Sequence, residues 1–182
     1  MFHLNTEQLI DYWRARRGAD PVPRRTSIEL AHLVNLAPQI FMLGREAAGQ
    51  YHFRLAGGFV AELHDRDLRQ ADFLRLWRPE DRAALPMALE AVRRRGEPMV
   101  VDCDGHAQDD LAMRMEITLA PLIGPNGEPD RFIGLYQPTS PVAALQDQAV
   151  LGLSVRAIAT PGAVGAALPR VRLATVQGTR IA

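Results

Sequence analysis

The sequence contains no lysine. All 21 of its basic residues are arginine, in a chain of 182. That absence removes the phosphate-binding loop that depends on a Lys, Schiff-base enzymes and kinases of the usual type. Arginine does not titrate near neutrality, so it makes a poor general base. A single cysteine, Cys103, excludes an internal disulfide and fits a reducing compartment. The formal net charge is zero, so no basic surplus exists for general affinity to nucleic acid or anionic membrane. No apolar run approaches the ~20 residues of a membrane span. Met1–Gln8 show no basic segment leading into an apolar one, as a signal peptide would. A cytoplasmic protein without membrane insertion is expected. His3, His32, His52, His64 and His106 form no HExxH and no His/Cys pair at ligand spacing, so no metal site is expected. Ser27, Ser140 and Ser154 lie in no G-x-S-x-G context, which disfavours acyl transfer.

What is present is an order of elements. An apolar fraction of 47% suits a globular chain. Asn5 or Thr6 can cap a first helix, whose stripe is Leu9, Ile10 and Trp13. Arg14, Arg16 and Arg17 suit its C-terminal end, and Gly18 stops it. Asp20-Pro21-Val22-Pro23 is a rigid break. Strands follow near Gln39–Gly44 and Gln50–Ala56, the second with Tyr51, Phe53 and Leu55 on one face. Short helices fill Gly58 to Arg95. Glu80–Arg95 reads as the longest of them, with Pro86 marking a kink or a late start. Strands near Pro98–Asp104, Leu111–Leu122 and Asp130–Pro138 close the unit. In the fourth strand Leu111, Met113, Met115, Ile117 and Leu119 alternate with polar positions. Beyond Pro141, Val142–Leu151 reads as helical, and Val155–Ala159 and Val171–Val176 as short strands.

Leu9-Ile10-Asp11-Tyr12-Trp13-Arg14, Pro23-Arg24-Arg25 and Leu36-Ala37-Pro38-Gln39-Ile40-Phe41-Met42-Leu43 resemble the opening of an alphaproteobacterial subfamily of PAS domains. The likeness continues through Phe53-Arg54-Leu55-Ala56-Gly57, Asp67-Leu68 and Asp72-Phe73-Leu74-Arg75-Leu76-Trp77. It closes with Thr118-Leu119-Ala120-Pro121-Leu122 and Ile133-Gly134. It departs at His64-Asp65, where an apolar-Gly pair is expected. The resemblance implies an α+β fold: a five-stranded antiparallel sheet with short helices on one face, an N-terminal helix and a C-terminal extension. The divisions are 1–22, 23–138 and 139–182. It also implies a stand-alone sensory or interaction module that acts on a signalling protein such as a histidine kinase in cell-cycle or stationary-phase control, often as a homodimer through the N-terminal helix.

The ligand pocket is expected between the sheet and Glu80–Arg95, lined by Phe53, Leu55, Leu89, Val101, Met113, Met115, Ile117 and Ile133. Dimer contacts are expected at Leu9, Ile10 and Trp13. Arg24, Arg25, Arg93, Arg94 and Arg95 are candidate anion-binding residues, for a nucleotide messenger or a phosphorylated partner. Heme on His64 is the other receptor reading; the plain one places His64 in a solvated loop beside Asp65 and Arg66. Cys103, in the strand Val100-Val101-Asp102-Cys103, reads as structural and not as a photoactive cysteine. No cofactor is required. An enzyme on such a cup needs a His–acid or Asp–Tyr pair inside it, and the inward strand positions read as apolar, so no catalytic residue is assigned.

Overall fold

The computed structural model describes residues 1–161, and the strand expected at Val171–Val176 lies outside them. Helix α1 (Leu4–Arg17) leads into 3-10 segments at Arg25–Ser27 and Leu30–Gln39. Strands β1 (Ile40–Ala47) and β2 (Gln50–Ala56) precede helix α2 (Gly58–Leu63), 3-10 turns at Phe73–Leu76 and Pro79–Asp81, and helix α3 (Ala84–Arg95). Strands β3 (Met99–His106), β4 (Ala112–Leu122) and β5 (Arg131–Pro138) come next, then a 3-10 turn at Val142–Leu145 and strand β6 (Gly152–Ala159).

The strands form one antiparallel sheet in the order β2-β1-β5-β4-β3-β6. The resemblance implies a five-stranded sheet; among the described residues it has six strands, because the short strand read at Val155–Ala159 extends over Gly152–Ala159 and pairs along β3. The helix predicted at Val142–Leu151 shrinks to one 3-10 turn, since Gln146 and Asp147 take φ of +49° and +62°. Residues in that left-handed region cannot continue a right-handed helix. Helix α3 starts at Ala84 and not at Glu80, which puts Pro86 in the first turn. There its missing N–H has no helical acceptor in any case. Gly96 ends α3 at φ +66° and donates to the Val92 carbonyl at 2.9 Å.

Helix α1 is capped by His3, whose Nδ1 accepts the Asn5 N–H at 3.1 Å. The expected caps have other positions: the Asn5 side chain donates to Gln137 Oε1 at 2.8 Å, and Thr6 is fully buried. Helices therefore flank both faces. On one face α2, α3 and the turn at Phe73–Leu76 build the larger, inner core. On the other, α1 and Leu30–Gln39 cover Ile40, Met42, Ala120, Leu122, Ile133 and Leu135.

Leu9, Ile10 and Trp13 are 0%, 2% and 0% exposed within the one chain. Trp13 Nε1 also donates to the Pro121 carbonyl of β4 at 2.7 Å. These residues are expected at a dimer contact; within the single chain they are already buried, Leu9 and Trp13 in the core between α1 and its own sheet. Each such burial contributes about 1.5–3 kcal/mol. Trp13→Ala is expected to cost about 3–5 kcal/mol in denaturant unfolding; a loss under ~1 kcal/mol would show that α1 is not docked. Thr118 Oγ1, on the α1 face of β4, is buried with no hydrogen-bond partner among the described residues. Thr118→Val removes that unpaired hydroxyl at nearly constant shape, so unchanged or raised stability, by up to about 1 kcal/mol, is expected in the same assay.

Candidate functional site

The inner face of the sheet forms a cup, closed by α2, α3 and Phe73–Leu76. Phe53, Leu89, Val101, Met113, Met115 and Ile117 are brought together there as the sequence predicts, all buried. Leu55 and Ile133 are not; both belong to the outer core under α1. For Leu55 the cause is a bulge. Met42 pairs with Leu55 and Leu43 with Phe53, so Arg54 is an extra residue that inverts the alternation of β2 beyond it. For Ile133 the cause is that β5 is buried on both faces. Its sequence offers no polar face to orient it, and Phe132 and Tyr136 take the inward positions.

Aromatic rings occupy the centre of the cup. The Phe41 ring lies 5.3 Å from Tyr136, 5.7 Å from Phe53 and 5.8 Å from Phe73, centroid to centroid. Phe73 in turn lies 5.8 Å from Trp77. Gly134 makes this possible: a Cβ there would sit 2.1 Å from Phe41 Cζ. Phe53 belongs to this nest, and the other five lining side chains share its core.

The cup is not wholly apolar. His64, read from sequence as a solvated loop residue, is 6% exposed. Its Nδ1 lies 3.0 Å from the Val150 carbonyl, which can only accept, so Nδ1 carries the proton. Nε2 is left as an acceptor for the Tyr136 hydroxyl at 3.4 Å. Burial, with help from the Arg66 charge and against the Val150 hydrogen bond, pulls the imidazole down to about 4. Burial likewise drives the Tyr136 phenol up. At neutral pH the pair is uncharged. Both ring nitrogens of His64 have partners, so ligation of heme iron would require breaking one of these bonds. Cys103 sits on β3, where burial pushes its thiol up and Sγ donates to the Met115 carbonyl at 3.5 Å.

His64 is half of a clamp at the entry to β6. Val150 N–H donates to the Leu63 carbonyl at 2.7 Å while its own carbonyl accepts from His64. Farther on, Arg78 N–H donates to the Leu153 carbonyl at 2.8 Å, and buried Asp81 accepts the Val155 N–H at 3.0 Å. Strand β6 is thus held along one edge by β3 and along the other by the chain from Trp77 to Asp81. Sequence reasoning missed Tyr136 and Asp81, and named His64 only as a heme candidate or a solvated loop residue. Only Tyr136 left a signal, the two-residue spacing Phe132-Gly134-Tyr136. His64 and Asp81 stand among charged neighbours that mask their burial.

The five candidate anion-binding arginines do not converge. Arg93 donates to Glu90 at 3.0 Å. Glu90 also accepts from Arg45 and from the Tyr51 hydroxyl at 2.8 Å. Burial disfavours the Glu90 carboxylate, but the three hydrogen bonds outweigh it and hold the group below its usual range. Glu90 thereby pins α3 to β1 and β2. Arg94 and Arg95 line an open groove with Met87. Arg24 pairs through its backbone with Ile123. Arg25 faces a separate groove with Arg54 and Arg131.

The pH dependence of stability follows from His64. Its folded pKa lies below its unfolded value, so the folded state binds fewer protons. The stabilisation is complete above the unfolded value of about 6.5 and drains away as pH falls toward 4. About 2 kcal/mol should be lost by pH 5. Asn retains a donor for Val150 and does not titrate. His64→Asn is therefore expected to flatten unfolding free energy between about pH 7 and 5 relative to the parent; parallel pH profiles would show that His64 is not the responsible group.

Comparison with known proteins bears on this architecture. A family model described as PAS domain matches residues 1–137. The dark structure of the blue-light photoreceptor Aureochrome1 LOV is 16% identical, with 64% of this chain and 87% of that chain covered at a TM-score of 0.48. The Rhodobacter sphaeroides LOV protein is 12% identical, with 63% and 70% covered at 0.47. No curated protein matches the chain. The family match takes in α1, the sheet through β5 and every helix of the cup, and this chain belongs to the PAS domain family.

Proposed function

We propose that the chain is a non-catalytic sensory and protein-interaction module of bacterial signal transduction, working in the cytoplasm on a histidine kinase or a related regulator of cell-cycle or stationary-phase type. The observation that carries this reading is the filled cup. Phe41, Phe53, Phe73, Trp77 and Tyr136 interlock where a ligand would sit. Protein contact is then the natural input. The natural output is β6, which pairs with β3 and is tied at its entry to α2 and along its other edge to Trp77–Asp81. A partner that favours one arrangement of those bonds shifts the population by its differential affinity for the two arrangements. If the module forms a homodimer, the contact lies outside the buried stripe of Leu9, Ile10 and Trp13.

Native mass spectrometry of the protein purified from its own host tests the reading. A mass matching the 20.1 kDa chain or an integral multiple of it is expected. A stoichiometric excess from a prosthetic group or apolar ligand would replace the interaction reading with that of a receptor. Autophosphorylation of a purified candidate kinase, measured with and without the chain, tests the output, and a rate change that Asp81→Asn weakens is expected.

A further inference from the structure

The outer face of the sheet changes character beyond the reach of α1. Apolar Met42 and Leu55 give way to three arginines from three separate elements. Arg54 is the bulged residue of β2, Arg131 opens β5, and Arg25 lies in the 3-10 turn Arg25–Ser27. Gly44 of β1 stands between the first two: a Cβ there would lie 2.6 Å from Arg54 Nε and 3.4 Å from Arg131 Nη1. Only a residue without a side chain lets both guanidinium groups lie over β1. Arg25 is fixed from behind, its N–H donating to the Ile123 carbonyl at 2.8 Å. Together the residues line an open groove of about 150 Å³.

The charges do not balance. Arg54 pairs with Glu46 at 2.9 Å and Arg131 with Asp130 at 3.1 Å. Arg25 has no carboxylate partner among the described residues; its Nη1 donates only to the Ile28 carbonyl, at 3.4 Å. Three cations facing two anions leave one positive charge beside apolar Met42 and Leu55, where it is screened less than in open water. A planar carboxylate engages one guanidinium fork, whereas a tetrahedral dianion accepts forks from several directions. A monoanion would merely exchange with Glu46 or Asp130. A dianion adds charge compensation that those residues do not supply.

We propose that this groove binds the phosphate group of a small molecule, with Arg25, Arg54 and Arg131 as its ligands. The site lies on the opposite side of the sheet from the cup, so it stands or falls independently of the sensory reading above. Isothermal titration of the full chain with inorganic phosphate, at about pH 7.5 where the dianion prevails, tests it. A nucleoside monophosphate in a parallel titration distinguishes a free phosphate from an esterified one, and saturable one-to-one binding of either one supports the site.

Arg25→Gln is expected to weaken binding at least ~tenfold without unfolding the chain, since Arg25 bridges no carboxylate. Gly44→Ala is expected to weaken it as well, by displacing Arg54 with no change of charge. Arg94→Gln, an equal charge change in the other groove, should leave it unaltered. Absence of saturable binding by both probes would overturn the proposal. So would equal weakening by Arg94→Gln and Arg25→Gln, which would mark a response to net charge alone.

Discussion

Phe41 lying across Gly134 is the contact on which the inner layer depends. The ring spans from β1 to β5 and meets Phe53 of β2, Phe73 of the helical layer and Tyr136. Four elements are thereby fixed around one side chain. Rings at 5–6 Å in tilted, stacked and edge-on orientations gain on the order of 0.5–1.5 kcal/mol per pair beyond their burial. A side chain at Gly134 would lift Phe41 and loosen all of these contacts at once. The same nest brings the Tyr136 hydroxyl within reach of His64, so the packing of the cup and the clamp on β6 share a residue.

Much of the fold was legible because its signals are local. The alternation from Leu111 to Leu119 sets the two faces of β4 correctly, and Gly18 and Gly96 end the helices where the sequence predicts. Six of the eight expected lining residues do face the cup. What was not legible depends on contacts distant in sequence. Leu55 faces outward because of a bulge visible only in its pairing with β1. Ile133 faces outward because α1 makes both sides of β5 apolar. The stripe Leu9-Ile10-Trp13 announces burial without naming the surface that covers it, and its own sheet fills that role. His64 looks solvated beside Asp65 and Arg66, yet a carbonyl 86 residues away accepts its proton.

The polar groups of the cup divide into two kinds. His64, Tyr136 and Cys103 are all held in their uncharged forms by burial, and they order the packing without adding charge to it. Charge is placed at the margin, where Glu90 gathers Arg45, Arg93 and Tyr51 and ties α3 to the strands. The arrangement keeps desolvation cost out of the centre, where it would be largest.

The bulge at Arg54 acts as a phase shifter for the chain that follows. Before it, Tyr51 and Phe53 point into the cup; after it, Leu55 joins the outer core and Ala56 packs against the inner one. Gly57 then closes against β1, donating to the Ile40 carbonyl at 2.8 Å and leading directly into α2. Pairing β2 with β1 without the bulge, every residue kept, would turn Leu55 inward and Ala56 outward, whereas deleting Arg54 would close the bulge and leave both facing as they do. The bulge lets β2 carry one residue more than its partner strand without changing which face the residues beyond it present.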